Sequence, residues 1–124
     1  MLYRANPLYG VHIKPGVNVK TIRPEISHAL TVARGVFTAL GKPITVTSWW
    51  RDNLASLHGH DLAVDLRANH LNSEEQQQIL RGLQLALGPA YQVILHGEGD
   101  NIHFHIEYDP QRTGTLSFRE EVTI

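Results

Sequence analysis

Two segments of this 124-residue chain alternate apolar and ionisable residues, and this alternation constrains the fold more than any other feature. They are residues 62–68, LAVDLRA, and residues 102–108, IHFHIEY. Successive side chains of a β-strand point to opposite faces of the sheet, so each segment predicts a strand with one apolar and one ionisable face. Asp65 lies on the ionisable face of the first strand, and His103 and His105 lie on that of the second. If the two strands are neighbours, these side chains converge.

The remaining pattern predicts two helices and two more strands. Apolar residues recur at three- and four-residue steps over 24–40, which is typical of an amphipathic helix. A second such helix begins with a capping box of Ser73 and Gln76 and ends before the Gly-Pro pair at 88–89. Runs of β-branched and aromatic residues predict strands at 44–50 and 91–96. We therefore expect an α+β fold in which two main helices pack on a small antiparallel sheet.

Composition narrows the classes of function. Lys plus Arg (11) and Asp plus Glu (12) nearly cancel, which disfavours nucleic acid as a partner. The chain has no cysteine, so a bound metal would be held by His, Asp or Glu. Because no apolar run has the length of a signal-peptide core or a membrane span, we expect no membrane insertion and synthesis in the cytoplasm without a signal peptide. The length predicts one domain, 1–124, with 111–124 as an extended tail.

Histidine is the first indication of chemistry. The chain has eight histidines, and His58, His103 and His105 lie in or beside the two alternating segments. Two histidines and the Asp65 carboxylate would hold a metal with a fourth position open, as in catalytic zinc sites. Amide hydrolysis also needs a group that moves a proton, and His103 and Asp100 are the nearby candidates.

Each of these residues also has an ordinary interpretation. A His-x-His pair on a strand is often only a solvated strand face. Asp65 could form an ion pair with Arg51 or Arg67, and Glu107 is expected to be a surface charge. Periodicity alone does not distinguish the metal site from these ordinary interpretations.

The combined pattern resembles a known family of enzymes. TSWWRDN at 47–53 is followed by SLHGHDLAVDLR at 56–67, then by a helix and IHFHIEY. Over roughly 24–108 this order is similar to the D-alanyl-D-alanine carboxypeptidase and L-alanyl-D-glutamate endopeptidase family of zinc peptidases. That family shares its fold with the hedgehog signalling domain, so the resemblance implies a hedgehog-like fold and a bound Zn2+.

The resemblance also implies a role for each matching residue. His58, Asp65 and His105 match the three zinc ligands of the family. Arg51 matches an arginine that faces the substrate, and Ser56 matches the serine of the first motif.

The proton-transfer residues are matched less directly. His103 takes the place of a histidine that lies beside the metal-bound water, and Asp100 falls where members of the family place a further catalytic histidine or acidic residue.

The chain departs from the family pattern in two places. Asp61 stands where the first motif has glycine, and Ile102 stands three residues before His105, where the family has its catalytic glutamate. If His103 were the third ligand instead, Asp100 would stand three residues before it. The third ligand is therefore open between His105 and His103.

The function implied is zinc-dependent hydrolysis of peptidoglycan stem peptides, by an endopeptidase or a carboxypeptidase. Small size fits a phage endolysin that acts at the cell wall after release, or a virion-associated enzyme. The alternative is a catalytically impaired metal-binding module of the same fold, whose termini contact a virion or another copy of the chain. Ni or Cu would suit the same ligands. Trp49 and Trp50 are open between packing in the core and lining a peptide cleft.

Overall fold

The computed structural model describes residues 10–17, 23–49 and 62–110. In chain order these residues form β1 (His12–Ile13), α1 (Pro24–Ala39), β2 (Thr45–Trp49), β3 (Ala63–Arg67), α2 (Ser73–Leu87), β4 (Tyr91–His96), a 3-10 turn (Gly99–Asn101) and β5 (His103–Tyr108). Both predicted helices and all four predicted strands are confirmed, with ends that differ by at most two residues. None of the helices in the described part of the chain is long and apolar enough to cross a membrane.

The five strands form one sheet in the order β1-β2-β3-β5-β4. β2 with β3, β3 with β5, and β4 with β5 are antiparallel pairs, whereas β1 is parallel to β2. The expectation of an antiparallel sheet is therefore wrong at β1, a strand that the sequence did not predict. The His12 N–H donates to the Ile44 carbonyl at 3.1 Å and the Lys14 N–H to the Val46 carbonyl at 2.9 Å. The fold is α+β with a mixed, mostly antiparallel sheet.

Both helices contribute to a single hydrophobic core with one face of the sheet. The ring of Phe37 on α1 meets that of Phe104 on β5 edge to face, with centroids 5.9 Å apart and planes at 89°. Trp49 is only 4% exposed and belongs to this core, which decides its role in favour of packing. Because the helices cover this face, the alternate strand residues lie on the other, polar face of the sheet.

The helix ends have local causes. Pro24 stands in the first turn of α1, where its missing N–H costs no hydrogen bond. α2 begins with a capping box, but its members are Asn72 and Glu75, so the prediction of Ser73 and Gln76 is wrong. The Gln76 amide instead donates to the Ala68 and Leu71 carbonyls, which ties α2 to the end of β3.

Candidate metal and catalytic site

The register of β3 and β5 brings the predicted ligands together. In this antiparallel pair Asp65 lies opposite His105, and Arg67 lies opposite His103. The Asp65 Oδ1 atom is 2.7 Å from Nδ1 of His105. The predicted convergence of ionisable side chains from two neighbouring strands is therefore found in the structure.

His105 lies between two carboxylates. Its Nε2 atom is 3.0 Å from Oε1 of Glu107, a residue that is only 7% exposed. A carboxylate can only accept, so both ring nitrogens donate and the ring is a cation. The hydrogen bond to Asp65, and after it the one to Glu107, raise the pKa of His105 to about 9.

The expectation that Glu107 is a surface charge is wrong. Sequence reasoning missed it as a site residue, although the signal was present. Glu107 follows His103 and His105 at two-residue steps on the same ionisable strand face, and that spacing alone places it beside His105.

His103 is held in one orientation by the backbone. Its Nδ1 atom is 2.7 Å from the Asn101 carbonyl, and because a carbonyl can only accept, Nδ1 carries the proton and donates. Nε2 is 3.7 Å from Oδ2 of Asp65. The His96 ring packs against that of His103, with centroids 5.4 Å apart. The neutral ring therefore has its lone pair at Nε2, the nitrogen on the side of Asp65.

Asp100 belongs to the 3-10 turn that connects β4 to β5. Its carbonyl accepts a hydrogen bond from Nδ2 of Asn69 at 3.3 Å, which fixes the turn against the end of β3. Asp100, His103 and Asp65 line one cleft of about 460 Å³. Both residues predicted to move a proton thus share this cleft with a predicted metal ligand.

Several predicted site residues lie outside the residues that the structure describes. They are the predicted ligand His58 and the predicted substrate residues Arg51 and Ser56. Trp50, whose role the sequence leaves open, and Asp61, which departs from the family pattern, also lie outside them. The tail 111–124 lies outside them as well. Among the described residues, the carboxylate of Asp65 pairs with His105 and His103, and no ion pair joins it to Arg67.

Asp65 and His105, the two predicted ligands that the structure describes, have donor atoms of the kinds that zinc takes. Zinc in proteins takes carboxylate oxygen and imidazole nitrogen, and here one atom of each kind lies side by side. Within 10–17, 23–49 and 62–110 no group of three or more His, Asp or Glu side chains could hold a metal ion. A site of the predicted kind would need a further ligand, for which His58 is the predicted residue.

Comparisons with protein-family models, with curated proteins and with solved structures found no match for this chain. The likeness to zinc peptidases accordingly stays a prediction from the residues themselves. A function must be proposed from the site.

Proposed function

We propose that this chain hydrolyses peptide bonds of peptidoglycan stem peptides with a bound zinc ion, as an endopeptidase or a carboxypeptidase of hedgehog-like fold. The observation that carries the proposal is the pairing of Asp65 Oδ1 with His105 Nδ1 at 2.7 Å on the polar face of the sheet. Two groups suited to proton transfer, Asp100 and His103, line the same cleft as Asp65. Amide hydrolysis by a zinc enzyme needs metal ligands close to groups that can accept and donate a proton. Two predicted ligands and two such groups are present here.

The metal would be held by His58, Asp65 and His105, with Nδ1 as the donor atom of His105. When bound, zinc lowers the pKa of a coordinated water to near neutrality and polarises the substrate carbonyl. Glu107 would hold the Nε2 proton of His105, which keeps the ring in the tautomer that presents Nδ1.

Proton transfer is assigned to the other two groups. The Asn101 carbonyl holds the proton on Nδ1 of His103, so Nε2 can accept a proton from the attacking water and donate it to the leaving amine. Asp100 lines the same cleft and supplies the acidic group for the same task. Arg51 and Ser56 are proposed to bind the substrate because of the family pattern alone. The enzyme would act at the cell wall after release, or as part of a virion.

Bound metal and activity should be measured together. Purified protein should contain near-stoichiometric zinc by elemental analysis and should release new amino groups from purified peptidoglycan. His58→Ala and Asp65→Asn should lose both properties. His28→Gln is the control, because His28 is an exposed residue of α1. A chelator should abolish activity and added zinc should restore it; wild-type protein without zinc would contradict the ligand assignment.

A catalytically impaired metal-binding module is the second candidate. Ile102 stands where the family has its catalytic glutamate, and its side chain packs against the core. An apolar residue at that place favours loss of catalysis with retention of the fold. Zinc bound by the wild type without release of amino groups would support this function over the first.

A further inference from the structure

We propose that Lys14 and Arg67 form a subsite for a carboxylate group of the substrate, at one end of the cleft that contains Asp65. The inference rests on the proposed peptidase function and adds to it two residues that recognise a carboxylate of the substrate. It predicts a peptide with a free carboxylate close to the bond that is cut.

The cleft crosses the sheet near one end of its strands. Lys14 follows β1, Arg67 ends β3, and His96 ends β4, and all three residues line the cleft. The strand order β1-β2-β3-β5-β4 puts Lys14 on one side of Arg67 and the histidines on the other. The Lys14 N–H donates to the carbonyl of Val46, whose Cα partner on β3 is Leu66, so Lys14 is held two strands from Arg67.

The two cations have no carboxylate partner in the described part of the chain. The ion pairs found there join Lys42 to Glu75 and connect Asp65, His103, His105 and Glu107. Neither Lys14 nor Arg67 takes part in them. Arg67 is half-buried, and a guanidinium that lines a cleft without a partner is suited to bind a carboxylate through two parallel hydrogen bonds.

The cleft also contains two carboxylates, Asp65 and Asp100, which must be weighed against the cations. Asp65 lies on the same strand as Arg67, but its carboxylate pairs with His105 and His103 of β5. Asp100 belongs to the turn between β4 and β5, whereas Lys14 lies beyond β2 on the other side of β3. The cleft is therefore polarised, with Lys14 and Arg67 towards β1, Asp100 and the histidines towards β4, and Asp65 on the strand of Arg67. Asn69 also lines the cleft, and its side-chain amide donates one N–H to the Asp100 carbonyl, which leaves the second N–H for a bound carboxylate.

This polarity sets the position of the carboxylate in the substrate. Arg67 and Asp65 lie on the same face of β3 two residues apart, which is about 7 Å at the rise of a strand. A peptide with its reacting carbonyl beside Asp65 would therefore have the bound carboxylate within one or two residues of the scissile bond. Both the C-terminal carboxylate of a D-alanyl-D-alanine end and the free carboxylate of a D-glutamyl residue fulfil this condition.

The subsite can be tested by binding, without catalysis. The probes are N-acetyl-D-alanyl-D-alanine and N-acetyl-L-alanyl-D-glutamate, each beside the matching amide, titrated into the chelator-treated full chain, which cannot cut them, and followed by NMR. Wild-type protein should bind an acid more tightly than its amide. Arg67→Gln and Lys14→Gln should each lower the affinity for the acid about tenfold, the scale expected for loss of one charged hydrogen bond. Neither substitution should change the affinity for the amide. The acid that shows this effect identifies the source of the carboxylate.

Arg81→Gln is the control, because Arg81 is exposed on α2, the helix layer that packs on the other face of the sheet. Lys14 is exposed beyond the end of β1, so its substitution leaves the core intact if the Arg67 variant fails to fold. Equal binding of acid and amide, or wild-type affinity in both variants, would overturn the subsite. Failure of the proposed function gives a different result: the acid preference and its dependence on Arg67 would remain, but peptidoglycan would not be cut.

Discussion

The carboxylate of Asp65 and the imidazole of His105 share a hydrogen bond of 2.7 Å between directly paired residues of β3 and β5. The second ring nitrogen of His105 is bound by Glu107, so the metal-free ring is a cation between two carboxylates. The proton on Nδ1 occupies the place where zinc is proposed to bind. Proton and metal should therefore compete for this nitrogen.

We predict that the stability of the metal-free protein falls between pH 6.5 and about 9. The pKa of His105 is raised from 6.5 to about 9, so the stabilisation is complete below the lower value and is lost as pH rises through the upper one. The change is at most about 3 kcal/mol in the free energy of unfolding. Urea denaturation of chelator-treated protein across this range measures it. Asp65→Asn should flatten the pH profile and His28→Gln should not; a flat wild-type profile would refute the pairing.

Glu107→Gln should weaken zinc binding. The glutamine oxygen can still accept the Nε2 proton of His105, but it lacks the charge that makes the ring a better ligand. We expect a loss of about 10- to 100-fold in zinc affinity, the usual effect of removing an outer carboxylate, measured by competition with a chelating dye. Gln92→Ala is the matched control, because Gln92 lies opposite Glu107 on β4. Wild-type affinity in both Glu107→Gln and Glu107→Ala would show that Glu107 does not support the metal.

Substitution of His103 and substitution of His105 should have different effects on zinc binding and on kcat. We expect His103→Gln to keep zinc and to lose about 100-fold or more in kcat, because a general acid–base group contributes at least that much. His105→Gln should lose zinc itself. His96→Gln, a change in the neighbouring ring, is the control for disturbance of the cleft. Elemental analysis measures the zinc content of both variants. If His103→Gln lost zinc and His105→Gln kept it, His103 would be the ligand and His105 the proton-transfer group.

The sequence was sufficient to predict the longer elements because their periodicity is strong. β5 was predicted within one residue because its apolar and ionisable residues alternate over six positions, and β4 was predicted from its run of apolar and aromatic residues. β1 was missed because a strand of two residues has no period to detect. The capping box was placed one residue too late, since both pairs of residues suit the pattern and only the observed hydrogen bonds distinguish them.

The site was predicted in part for the same reason. Strand alternation placed Asp65 and His105 on ionisable faces, and the neighbouring position of β3 and β5 completed the pair. The burial of Glu107 was not predictable from its own residue type, because a lone glutamate is usually solvated. Its burial depends on how the sheet face around it is covered, which is a property of the tertiary structure.

Gly97→Ala should damage the turn that bears Asp100. Gly97 has a φ of +89°, and a Cβ there would lie 2.5 Å from the Asn101 carbonyl oxygen, so the backbone of the turn must move. Gly99→Ala is a matched control in the same turn, with a φ of +58° and nothing within 4 Å of its Cβ. We expect a loss of about 1 kcal/mol for Gly99→Ala from backbone strain alone, and about 3 kcal/mol for Gly97→Ala.

The consequence for activity separates position from stability. The Asn101 carbonyl that would be displaced is also the acceptor that holds the Nδ1 proton of His103. Gly97→Ala should therefore lower kcat and shift its pH profile at a temperature where the variant remains folded, whereas Gly99→Ala should leave both unchanged. Equal effects of the two substitutions on kcat would mean that the close contact of Gly97 with Asn101 does not position His103.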